Sequence, residues 1–97
     1  MKTHSSINDT LALESWRKQI DQIDEELLHI LLQRMVVAKK IGMLKKAHGS
    51  EPLDQKRWQI VLQSKLALAR SLGLSEKLVK EIYEQIHQAA LEIEGNL

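Results

Sequence analysis

The stretch Leu13–Leu44, LESWRKQIDQIDEELLHILLQRMVVAKKIGML, decides the fold. Apolar residues recur in it at alternating spacings of three and four: Leu13, Trp16, Ile20, Ile23, Leu27, Ile30, then Arg34, then Val37, Ile41 and Leu44. That spacing marks one face of a helix that packs against other helices. Arg34 interrupts the apolar seam. A guanidinium is costly to bury there unless something anionic meets it, and positions 30, 31, 37 and 38, one turn away, hold no Asp or Glu. Two readings stand. Either the seam holds an external anion, or Arg34 snorkels to the surface or meets a carboxylate from elsewhere in the fold.

Outward from this stretch the punctuation is sparse. The pattern predicts a first helix from about Leu11 to Ala47, capped by Asp9 or Thr10. His48-Gly49-Ser50 ends it, with Gly49 suited to a left-handed C-terminal position. Pro52 lies in the connector. Asp54 opens a second helix that runs to about Leu72, and Gly73 stops it. Ser75 caps a third helix that carries Glu76 in its first turn and runs to about Glu94, before Gly95-Asn96. No strand alternation, repeat or low-complexity tract is present. The expected fold class is all-α, with residues 1–10 a polar, flexible N-terminal tail and 11–97 one helical domain.

Length points to the assembly. A first helix of this size spans about 55 Å at 1.5 Å per residue, whereas a compact chain of 97 residues has a radius of gyration of about 12–13 Å. Much of the seam would stay exposed in a monomer. An antiparallel homodimer with the long helices side by side buries it. A break near Arg34 to Lys40 that folds the helix back is the competing reading, and no Gly or Pro sits there to make it.

Composition agrees. Hydrophobic residues make up 43% of the chain, yet there are two Trp, one Tyr and no Phe, so aliphatic side chains must fill the core. Cysteine is absent, which removes disulfide and thiolate chemistry and is compatible with a cytoplasmic location. A net charge of +1 provides no global field for nucleic acid or an anionic membrane. No apolar run approaches the roughly 20 residues of a membrane span, and MKTHSSINDT has no apolar segment of a secretory signal. The four histidines, His4, His29, His48 and His87, have no paired metal spacing and read as surface residues.

Any basic site is therefore local. Lys45 follows Arg34 by eleven positions, almost three full turns, so both point to one side with backbones about 16 Å apart. Two long side chains leaning together suit a small dianion. Arg17 precedes Arg34 by seventeen positions, about 25 Å along the axis. It cannot reach the same site from the same helix, but a partner's Arg17 in an antiparallel dimer can. Asp54 and Arg57 share one face at the start of helix two, which makes Arg57 a further candidate anchor. Taken singly, Arg17, Lys45 and Arg57 also read as solvated surface charge.

The order of these residues resembles a known family. The run Trp16-Arg17-Lys18-Gln19-Ile20-Asp21-Gln22-Ile23-Asp24-Glu25-Glu26-Leu27-Leu28 is similar to the opening of the all-helical AroQ-type chorismate mutases. The likeness continues through Leu31-Leu32-Gln33-Arg34, Ala38-Lys39-Lys40-Ile41-Gly42-x-x-Lys45, Pro52-Leu53-Asp54-x-x-Arg57 and Gly73-Leu74, and it covers about residues 13 to 94. It implies an intertwined dimer of three-helix chains with one Arg donated across the interface. It also implies that chorismate is converted to prephenate, as in aromatic amino acid biosynthesis, without cofactor or metal. By resemblance, Arg34 and the partner's Arg17 bind substrate carboxylates. Lys45 contacts a carboxylate and the ether oxygen, Asp54 meets the ring hydroxyl, and Arg57 assists with a carboxylate.

Three positions depart from the family pattern. Trp58 follows Arg57 where a Glu is common, Ala90 replaces a Ser that helps hold a carboxylate, and Glu94 stands where many members carry Gln as the ether-oxygen donor. Trp58 also reads as core, on an apolar face with Val61 and Leu62. An ionised Glu only accepts hydrogen bonds, and the members that use Glu at this place use it protonated. Ile86, Ala90 and Glu94 follow at i, i+4 and i+8, so Glu94 extends an apolar stripe; the other reading puts it on a frayed last turn. Alternatives to the mutase are a relative acting on isochorismate as a pyruvate lyase or on 4-amino-4-deoxychorismate, and a non-catalytic helical dimerisation or regulatory module. Asp54 and the short loop from Lys45 to Asp54 favour the mutase over the lyase, while Trp58 keeps the amino substrate open. Dimerisation alone requires none of Arg17, Arg34, Lys45 and Arg57.

Overall fold

The computed structural model describes residues 6–97, which form three helices and, among the described residues, no strand: α1 (Ile7–Ala47), α2 (Gln55–Leu72) and α3 (Glu76–Gly95). The all-α class expected from the sequence is the observed one. Residues 1–5 of the expected tail lie outside the described residues, whereas 7–10 form the first turn of α1. The helix starts earlier than Leu11 because Ser6, not Asp9 or Thr10, is the cap. Ser6 Oγ accepts from the Asp9 N–H at 3.0 Å, and the Asp9 carboxylate accepts from the Ser6 N–H at 3.4 Å. This is the reciprocal box usually made with Glu or Gln, here closed by Asp. No helix among the described residues is long and apolar enough to cross a membrane.

The chain divides into two compact units, one up to Arg34 and the other Met35–Leu97. In the first, the helix keeps the apolar seam on its surface: Trp16 is 61% exposed, Ile23 59% and Ile30 60%. Helices of this kind draw most of their stability from tertiary burial of the apolar face, and a single chain leaves that face in water.

The second unit holds the end of α1, α2 and α3. Its buried residues are Ala38, Gly42, Leu62, Ala69 and Ala90, all but Leu62 small. Small side chains let helix backbones approach closely, so packing here rests on contact rather than on large buried groups. The turns follow local chemistry. Gly49 (φ 68°) ends α1, with Gly49 N donating to Lys46 O and Ser50 N to Lys45 O at 2.8 Å. Gly73 (φ 72°) ends α2 in the same way, with Leu74 N donating to Ala69 O at 2.9 Å. Both are the double bond pattern that satisfies the last carbonyls of a helix, and both require a left-handed residue that glycine adopts without strain. Ser75 caps α3 by accepting from the Leu78 N–H at 3.1 Å.

Candidate active site

Lys45 stands in the last turn of α1. The chain reverses after Gly49, and its ammonium donates to the Pro52 carbonyl at 2.5 Å and to Glu94 Oε1 at 3.1 Å. An ammonium has three donors, so one remains for a ligand beside these two partners. Glu94 lies in the last turn of α3, where Ala90 is buried one turn before it and Ile86 half-buried two turns before it. The stripe expected from their spacing is present, and it carries the carboxylate inward: the Glu94 side chain is 9% exposed, that of Lys45 25%. Glu94 is in the last turn of the helix, which runs to Gly95.

Lys45 and Glu94 line a cleft of about 260 Å³ with Gly42, Ser50, Pro52 and Leu97. That is close to the lower end of small-ligand sites, about 300 Å³. A cation with a spare donor beside a largely buried carboxyl can hold an anionic group and address one oxygen of a ligand. Ionised, the carboxyl only accepts; protonated, it becomes a second donor.

Asp54 and Arg57 meet in a different way. Asp54 is the N-cap of α2 (φ −120°, ψ 99°), and its Oδ1 accepts from the Arg57 backbone N–H at 3.0 Å. Both residues are exposed, with the Arg57 side chain leaving from the first turn. Arg17 and Arg34 belong to the first unit; Arg17 is exposed and Arg34 half-buried. Among the expected site residues, Lys45 and Glu94 come into side-chain contact from distant sequence.

Two departures from the family pattern acquire structural reasons. Ala90 is buried in the helix packing. Trp58, half-buried, stacks face to face on His87 with ring centroids 4.0 Å apart and planes at 8°. His87 is thus half-buried against α2, contrary to the surface position read from the sequence; His29 and His48 are exposed, and His4 lies outside the described residues. Sequence reading also missed the Pro52 carbonyl and Gly42. For the carbonyl no side-chain signal exists. For Gly42 there was one, an isolated glycine inside a helical pattern, where it is a poorer helix former than Ala.

Residues 16–95 match the family model described as chorismate mutase type II. The chain belongs to that family. Among its relatives, the bifunctional chorismate mutase/prephenate dehydratase of Aquifex aeolicus is 31% identical over 88 residues, 88% of this chain and 24% of that protein. The T-protein of Haemophilus influenzae is 28% identical over 71 residues, 73% of this chain and 19% of that protein. The chain therefore spans a quarter or less of the length of these relatives. No solved structure matches it.

Proposed function

We propose that this chain is a cytoplasmic chorismate mutase, an isomerase that converts chorismate to prephenate in aromatic amino acid biosynthesis. The observation that carries the reading is the Lys45–Glu94 pair at 3.1 Å in a cleft, within a chain that belongs to the family. In this rearrangement one C–O ether bond breaks as one C–C bond forms, and no nucleophile, cofactor or metal takes part. The protein's task is to hold a flexible dianion in its compact conformer and to place donors where negative charge grows on the ether oxygen. Lys45 presents its third N–H to that oxygen, and its charge attracts a carboxylate. Glu94 is the second group at that oxygen, where only the protonated form of a carboxyl donates. Arg34 takes a carboxylate with its planar fork, Arg57 assists, and Asp54 accepts from the ring hydroxyl with lone pairs beyond the one its capping bond uses.

The working form in this proposal is an intertwined antiparallel homodimer in which each site takes Arg17 of the partner subunit. Support comes from the exposed seam, Trp16, Ile20, Ile23, Leu27 and Ile30, which a second copy covers. The helical rise adds to it: Arg17 and Arg34 are about 25 Å apart along one helix, too far to share one small ligand.

Purified protein mixed with chorismate tests the reading. Loss of chorismate absorbance with formation of prephenate is expected. Inertness toward chorismate combined with pyruvate release from isochorismate, or with no turnover of either, would overturn it.

A further inference from the structure

We infer that Gly42 is a positioning residue for the reaction, setting the approach of α3 to α1 at which Glu94 reaches Lys45. The inference rests on the mutase reading above. Gly42 is buried on α1, three positions before Lys45 and so on the same face. A Cβ there would lie 2.7 Å from Glu94 Cγ, 2.9 Å from Glu94 Cα and 2.8 Å from Leu97 Cδ1. Heavy atoms do not pack at such distances. Leu97 Cδ1 is the tip of a flexible side chain and can swing aside. Glu94 Cα is helix backbone and moves only if the last turn of α3 moves with it.

The other glycines separate this role from conformational freedom. Gly49 and Gly73 have positive φ and nothing within 4 Å of a built Cβ; Gly95 has nothing within 4 Å either. Gly42 sits mid-helix without positive φ, where Ala is the better helix former. Its missing side chain serves space, and that space is filled by the backbone of the residue that pairs with Lys45. A methyl group at position 42 pushes α3 outward and carries Glu94 Oε1 off the ammonium.

The test is Gly42→Ala. Misplacing a reacting group by about 1 Å costs on the order of 10²-fold in rate, so kcat should fall by roughly 10- to 100-fold with KM changed far less. In a Glu94→Ala background the same substitution should change kcat by no more than about 2- to 3-fold, because the group it misplaces is already gone, while lowering Tm in both backgrounds. A fold-change in kcat that multiplies fully across the two backgrounds, or near wild-type kcat in Gly42→Ala, would overturn the inference. A structure of Gly42→Ala judges it without any activity: Nζ–Oε1 should exceed 4 Å, and retention of the 3.1 Å contact would sink it. If wild type fails on chorismate, the functional reading falls, and this distance still decides the role of Gly42. Should Gly42→Ala not fold alone, Leu97→Ala/Gly42→Ala removes the conflict with Leu97 and leaves those with Glu94. It is then read in the same ways against Leu97→Ala.

Discussion

Lys45 Nζ lies 3.1 Å from Glu94 Oε1 although 49 positions separate the two residues in the chain. The pair joins the end of α1 to the end of α3 and puts a donor beside a carboxyl that is largely withdrawn from water. In the proposed site, removing Lys45 takes away both the cation and the donor for the ether oxygen. Lys45→Ala should lower kcat by about 10²–10³-fold, the usual effect of deleting such a donor. Steady-state kinetics with chorismate check this.

Glu94 can donate to the ether oxygen only when protonated. Glu94→Gln carries a donor without needing an added proton, so its activity on chorismate should equal wild type or exceed it. Glu94→Ala should be slow. A fully active Glu94→Ala would remove Glu94 from the chemistry.

Arg34→Ala should lower kcat/KM by roughly 2–5 kcal/mol of transition-state binding, as for a deleted partner of a desolvated charge pair. Arg34→Lys should fail as well, because a compact ammonium does not reproduce a planar two-pronged donor. Near wild-type kcat/KM in either variant contradicts the proposed carboxylate site.

Mixing inactive Arg17→Ala protein with inactive Arg34→Ala protein should restore part of the activity. A heterodimer has one site with both arginines intact. The same association should be blocked by Ile23→Glu, which puts a charge on the exposed seam. Sedimentation at micromolar concentration should give a dimer for wild type and a monomer for Ile23→Glu. A wild-type monomer would remove the shared site.

Asp54 caps α2 and, in the proposed site, meets the ring hydroxyl; different substitutions separate the two. Asp54→Ala loses the cap on the Arg57 N–H and should cost about 1 kcal/mol of stability in denaturant unfolding. Asp54→Asn keeps a capping oxygen and should unfold within a few tenths of a kcal/mol of wild type. Both should raise KM if Asp54 meets the ring hydroxyl, since Asn accepts more weakly than a carboxylate.

The three helices were legible in the sequence because helix formation and termination are local. Periodicity runs over one or two turns, and a cap is a bond across three residues, so Gly49, Asp54, Gly73 and Ser75 announced their ends without reference to the rest of the fold. The start of α1 escaped because Ser6 and Asp9 form a box with an acid shorter than the usual one. The stripe of Ile86, Ala90 and Glu94 was equally legible; the pairing of Glu94 with Lys45 followed only from the resemblance, which puts both at the ether oxygen, and not from spacing. Which ammonium meets that carboxylate depends on the register of α3 against α1. That register is set where Gly42 admits the backbone of Glu94. The stacking of Trp58 on His87 depends in the same way on how α2 lies against α3. Such pairings are made through space by contact at small residues, and hydrophobic spacing along one helix specifies its buried face without specifying the residue that fills the facing groove.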